Sequence, residues 1–175
     1  MLLYQKINRL WKASPDNSVQ DVAGYLIDCW IDDYVKGAKP GSTDLVVVDL
    51  EGFSYLFDVH QERLIAAWGI SKGKVDEARD ATRMRGHPQS AGKAYHRGHA
   101  IAHQLGGKLD INLISQKGSI NMGQFRVLEN KAAKTPGALY FTYWEYNRIL
   151  TQKPSAVQQG LLCPGEDAEL RWFPN

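Results

Sequence analysis

Tyr95-His96-Arg97-Gly98-His99-Ala100-Ile101-Ala102-His103 packs three histidines and an arginine into nine positions. Ala94–Ala100 reads as the end of a strand, followed by a short turn or helix that Gly106-Gly107 closes. A neutral imidazole is the natural general base for activating water near neutral pH. An arginine two residues away suits a phosphate oxyanion, because its planar fork donates two hydrogen bonds at once. Gly98 predicts a sharp turn or a close approach to a ligand. The tripeptide Arg-Gly-His does not single out a site by itself, since Arg85-Gly86-His87 repeats it.

A second constellation lies downstream. Asn112 and Gln116 stand four apart, Asn121 follows, and Glu129 comes eight residues later. Ser119–Lys134 reads as one helix ended by Pro136-Gly137, with Ile120, Phe125, Val127, Leu128, Ala132 and Ala133 on its apolar side. On such a helix Asn121 and Glu129 differ by roughly 80° around the axis and lean toward one site. An amide oxygen and a carboxylate are hard donors suited to Mg²⁺ or Mn²⁺. Each residue also has an ordinary reading: Asn112 caps a turn, Asn121 fills a first helical turn, and Glu129 is solvated. A competing reading gathers His96, His99 and His103 at i, i+3 and i+7 of a helix as three imidazole ligands to zinc. It leaves Asn121 and Glu129 without a role and has to accommodate Gly98 inside the helix.

Arg97-Gly98-His99, then Asn112-x3-Gln116, then Asn121-x3-Phe125-x3-Glu129, resembles the DNA/RNA non-specific endonuclease family, whose sites rest on a ββα-metal motif. The run from Gly98 to Gly107 is similar to its compact bacterial, toxin-type branch. The resemblance covers about Tyr95–Tyr146. It implies that His99 deprotonates the attacking water and that Asn121 is the direct protein ligand to a hydrated Mg²⁺ (or Mn²⁺). Glu129 then holds a water of the metal's shell, Arg97 contacts phosphate or steadies the site, and Asn112 is a supporting hydrogen-bonding residue. Two departures are plain: His96 stands where the family has Asp, and Ala133 stands where it has a further arginine. Lys131, Lys134 or an arginine from 79–85 is the expected substitute.

Charge agrees with a polyanionic partner. Ser71–Thr135 holds twelve lysines and arginines against five acids, a surplus of seven in a chain whose net charge is only +2. Arg83, Arg85, Lys93, Arg97, Lys131 and Lys134 are the expected nucleic-acid contacts, made to the backbone and so without base preference. DNA or RNA is the expected substrate, and an acidic immunity protein the partner that the toxin-type resemblance implies. The same basic surface fits a non-catalytic or inactivated nucleic-acid-binding domain.

The remainder bounds the fold. At 175 residues, with 43% hydrophobic and 23% charged, the chain fills one domain with its own core, and neither a disordered tail nor a coiled coil fits. No apolar run suits a membrane span, and Met1-Leu2-Leu3-Tyr4-Gln5-Lys6 lacks the features of a signal peptide, so a cytoplasmic protein, an exported effector and a piece of a larger chain are the expectations. Cys29 and Cys163 either pair or stay free. A helix is predicted over Ser18–Lys36, strands over Asp44–Leu50, Phe53–Val59 and Arg63–Ile70, a charged helix over Lys72–Met84, a strand over Ala138–Tyr146, and a turn-rich stretch with Pro154, Gly160, Pro164 and Gly165 leading to a last strand over Glu169–Phe173. The expected whole is an α+β domain, an antiparallel sheet with flanking helices and a ββα-metal nuclease core over 94–146. Residues 1–90 serve as scaffold.

Overall fold

Leu139-Tyr140-Phe141-Thr142-Tyr143-Trp144 alternates its side chains between two separate cores, and the chain is organised around that alternation. A computed structural model describes residues 4–13, 18–76, 88–89, 91–108, 110–147 and 151–175. Its elements are α1 (Ile7–Ala13), α2 (Ser18–Lys36), β1 (Leu45–Leu50), β2 (Phe53–Asp58), β3 (Arg63–Ile70), β4 (Tyr95–His99), β5 (Leu113–Lys117), α3 (Gly118–Asn121), α4 (Phe125–Lys134), β6 (Leu139–Glu145), β7 (Ala156–Leu162) and β8 (Glu169–Pro174). Six strands form one antiparallel sheet in the order β1-β2-β3-β6-β7-β8, and β4 pairs with β5 in a separate ribbon. This is the expected α+β architecture.

One face of the sheet is covered by α1 and α2. Val22, Leu26 and Trp30 recur every fourth residue of α2, are fully buried, and meet Leu56, Ile65, Ala66, Phe141 and Tyr143. The polar tips in this core are satisfied: Trp30 Nε1 donates to Tyr4 Oη at 2.9 Å, and Tyr4 Oη donates to Gln158 Oε1 at 2.7 Å. The opposite face carries Tyr140, Trp144, Val157 and Leu161, and receives Phe125, Leu128 and Ala132 of α4 together with Ala100, Ile101 and Ile114. The segment that carries the histidines, together with α4, is thus packed on a sheet whose other face is closed by the N-terminal helices.

The β1–β2 hairpin has the two-residue turn that Glu51-Gly52 predicts, both residues at positive φ (53° and 90°). Three expectations change. Residues 119–134 are two helical segments rather than one. The turn-rich stretch around Pro154 and Gly160 contains β7, every residue of which is buried. Gly160 fits there because it pairs with Phe141, whose ring occupies the space a Cβ would need. Residues 72–76 of the predicted 72–84 helix are irregular, and 77–84 lie outside the described residues. Cys29 and Cys163 are free thiols belonging to opposite faces of the sheet. Among the described residues no helix is long and apolar enough to cross a membrane.

Candidate active site

Strand alternation sorts the histidine-rich stretch. In β4, opposite β5 in the register His96↔Gln116, Arg97↔Ser115, Gly98↔Ile114 and His99↔Leu113, Arg97 and His99 leave one face while His96 and Gly98 leave the other. His96 lies over Gly118, where a Cβ would come within 2.8 Å of its ring. The helix that would align His96, His99 and His103 is absent, and with it the basis of the zinc reading. Gly98 makes no turn either. It stands mid-strand because the amide of Gln116 fills the place of its Cβ. Arg97 Nε donates to Pro88 O at 3.0 Å.

After β4 the chain bends through a loop that one buried side chain holds. Asn112 Oδ1 accepts from Ile101 N at 2.7 Å, and its Nδ2 donates to Ile101 O at 2.9 Å and Lys108 O at 2.8 Å. Ala100 N adds a bond to Asn112 O at 2.9 Å. The clamp sets up a single 3₁₀ turn over His103–Leu105, ended by Gly106 at φ 94° as the Gly106-Gly107 pair predicts. Gln104 Nε2 then donates to Asn130 Oδ1 on α4 at 3.0 Å, and the rings of His99 and His103 stand edge to face with centroids 6.1 Å apart.

The helical side is shaped by a tightening between α3 and α4. Gly123 N bonds to Ile120 O, Arg126 N to Gly123 O and Val127 N to Gln124 O, at 3.1–3.2 Å. These three-residue closures break the regular wheel on which the 80° separation of Asn121 and Glu129 depends. From Phe125 onward the wheel is regular. Phe125, Leu128 and Ala132 enter the core, and Arg126, Glu129 and Asn130 line the neighbouring stripe. The start of α4 is pinned from β7, where Gln159 Nε2 donates to Phe125 O at 2.9 Å and to Tyr140 Oη at 2.8 Å. Burial first, and then the Glu129 carboxylate nearby, push the Tyr140 hydroxyl well above its ordinary pKa, so it stays protonated.

These elements enclose a cavity of about 360 Å³. Arg97 and His99 reach it from β4, Asn121 from α3 and Glu129 from α4, a residue only 8% exposed. Asn112 stands behind the wall and holds it. Lys131 points elsewhere, to Glu166 at 2.9 Å and Glu169 at 3.4 Å, bonds that raise its pKa. Lys93 and Lys134 are exposed away from the lining, and Arg83 and Arg85 lie outside the described residues. Sequence reasoning missed Arg126, Gln104 and Asn130, and gave His103 to zinc. Arg126 and Asn130 were legible as the neighbours of Glu129 at −3 and +1. Among the described residues there is no grouping of three His, Cys, Asp or Glu side chains suited to a metal.

Residues 63–139, from β3 through the cavity to the start of β6, match the DNA/RNA non-specific endonuclease family. No curated protein matches the chain in sequence. Among solved structures it is similar to NucA from Streptococcus agalactiae with no metal bound (TM-score 0.51, 16% identity, covering 75% of this chain and 83% of that one). It is also similar to the same nuclease with magnesium ion bound (TM-score 0.53, 15% identity, 82% and 89%). A third likeness is to the EndoG/EndoGI complex, in which EndoG is inhibited (TM-score 0.53, 16% identity, 83% and 80%). At these identities the structural likeness establishes the fold, that of ββα-metal nucleases.

Proposed function

Because the chain carries a DNA/RNA non-specific endonuclease domain and is therefore a nuclease, a hydrolase, we propose that its cavity cleaves phosphodiester bonds of DNA, RNA or both with His99 as general base. The observation that carries this reading is the convergence of Arg97, His99, Asn121 and Glu129, from three separate elements, on one cavity. The Nε2 atom of His99 is shut away from solvent, so Nδ1 is the nitrogen that takes the proton of the attacking water. Arg97, steadied at Nε by Pro88, turns the rest of its fork to the phosphate. Asn112 acts behind the wall as a positioning residue.

The donor set fits a hard divalent ion. Asn121 offers an amide oxygen and Glu129 a carboxylate, the combination suited to Mg²⁺ or Mn²⁺. With no cluster of three His, Cys, Asp or Glu side chains suited to a metal among the described residues, most of the ion's shell belongs to water and substrate oxygen. When bound, the ion supplies positive charge to the phosphate as it becomes more negative. The basic character of residues 71–135 draws the strand in, with exposed Lys93 and Lys134 at the periphery.

The test is incubation of plasmid DNA and total RNA with the purified protein in Mg²⁺, Mn²⁺, Zn²⁺ or EDTA, beside His99→Ala and Asn121→Ala. Cutting that needs Mg²⁺ or Mn²⁺, falls at least 100-fold in His99→Ala and is lost in Asn121→Ala supports the reading. Intact nucleic acid throughout sinks it. Service as a bacterial toxin or effector domain, held in check by an acidic immunity protein, follows from the toxin-type sequence around Gly98–Gly107 and the basic surface. Its check is whether cells making the active protein stop growing while those making His99→Ala do not.

A further inference from the structure

The cavity faces a demanding ligand. A phosphodiester carries one negative charge and gains another on the way to five-coordination, yet Glu129, a buried residue, already adds an acidic side chain to the wall. Cationic donors aimed at that point decide the rate, because they act where charge develops and in a site partly closed to water. The described cations on the lining, apart from imidazoles, are Arg97 and Arg126. Arg97 spends its Nε on a backbone carbonyl.

Arg126 is placed by the helix. It precedes Glu129 by three residues, about 60° away around α4, and Asn130 stands about 40° from it on the same stripe. Lys131, about 160° from Glu129, faces the opposite side and is held by two carboxylates. Lys134, about 140° away, is also off the lining. The Arg126 side chain is exposed at the cavity mouth, and its guanidinium has no hydrogen-bond or ion-pair partner among the described residues. Its carbon stem rises from the turn that the Arg126 N to Gly123 O bond, 3.2 Å, draws tight, so the side chain starts from a fixed point.

Resting on the nuclease reading above, we propose that Arg126 grips the non-bridging oxygens of the phosphate being cut. An arginine does this better than a lysine because its fork engages two oxygens together and never loses its charge.

The experiment compares wild type with Arg126→Ala, Arg126→Lys and Lys131→Ala on a labelled DNA duplex in Mg²⁺, reading kcat and KM separately and the salt dependence of binding in a His99→Ala background. Arg126→Ala should lose roughly 100-fold in kcat, Arg126→Lys should recover only part of it, and Lys131→Ala should stay within about threefold of wild type. Because Arg126 is exposed, the thermal melt of Arg126→Ala should match wild type. A kcat within twofold of wild type overturns the proposal, and so does a loss confined to KM and the salt slope, which assigns Arg126 to a flanking phosphate. Either result leaves wild-type cutting intact, whereas an inactive wild type removes the nuclease reading and this proposal together.

Discussion

Asn112 satisfies both backbone polar groups of Ile101 at once, accepting its N–H at 2.7 Å and donating to its carbonyl at 2.9 Å. The pair mimics one rung of a strand ladder with a side chain. It carries the chain from β4, which bears His99, round to the 3₁₀ turn that bears His103 and Gln104. A Cβ at Gly107 would collide with Ile101 O and come within 2.8 Å of Asn112 Nδ2, so the clamp closes only over a glycine.

Asn112→Ala therefore strands the two buried backbone groups of Ile101 and the part-buried carbonyl of Lys108. Loss of about 3 kcal/mol of stability is expected, read as a lower urea midpoint at unchanged slope. Asn112→Asp should be no better, because a carboxylate cannot donate to the carbonyls of Ile101 and Lys108. A variant as stable as wild type would show that the clamp carries no weight.

Gln159 reaches the site from behind, through the carbonyl of Phe125. Gln159→Leu removes that bond and the one to Tyr140 while keeping the volume, so the start of α4 should loosen. The expected result is faster amide exchange at residues 125–130 and a kcat reduced about 10-fold, with KM little changed. Unchanged exchange would mean that packing of Phe125 and Leu128 alone fixes the helix.

His96→Asp restores the residue the family carries before Arg-Gly-His, and the structure predicts that it matters little. The side chain leaves the face of β4 opposite Arg97 and His99. Cleavage within about threefold of wild type is expected, with zinc content unaltered in His96→Ala. A gain of an order of magnitude would show that position 96 acts on Arg97 through the backbone of the ribbon.

Alkaline pH should unfold this protein through its tyrosines. Burial, the leading cause, raises Tyr4, Tyr55, Tyr140, Tyr143 and Tyr146 above the ordinary 10.0. The folded state thus keeps protons that the unfolded chain gives up. The stabilisation is complete below the unfolded value of about 10 and shrinks as pH climbs beyond it. Followed by near-ultraviolet tyrosinate absorbance, a minority of the eight tyrosines should titrate near pH 10, the others ionising together with loss of helical circular dichroism. All eight titrating in one step with the fold intact would contradict the burial of these hydroxyls.

The strong local patterns were legible in the sequence. The four-residue stripe Val22, Leu26, Trp30 could only be a helix against a core, and Glu51-Gly52 between apolar runs could only be a hairpin. Arg97-Gly98-His99 with Asn121 and Glu129 at family spacing named residues that do share a cavity. Those features are set by neighbours in the chain, where periodicity and turn chemistry act. Tertiary structure decided the rest. The stretch marked by Pro154, Gly160, Pro164 and Gly165 reads as turn-rich, yet Gln158-Gln159-Gly160 within it is buried strand because Phe141 fills the gap over Gly160 and Tyr140 and Phe125 take the Gln159 amide. His96 left the site because a strand alternates where a helix would have aligned. Lys131, one of the cations expected at the site, is off the wall that Arg126 lines, because Glu166 and Glu169, far along the chain, capture the lysine. Local spacing says which residues can face the same way; only the packed fold says what they then meet.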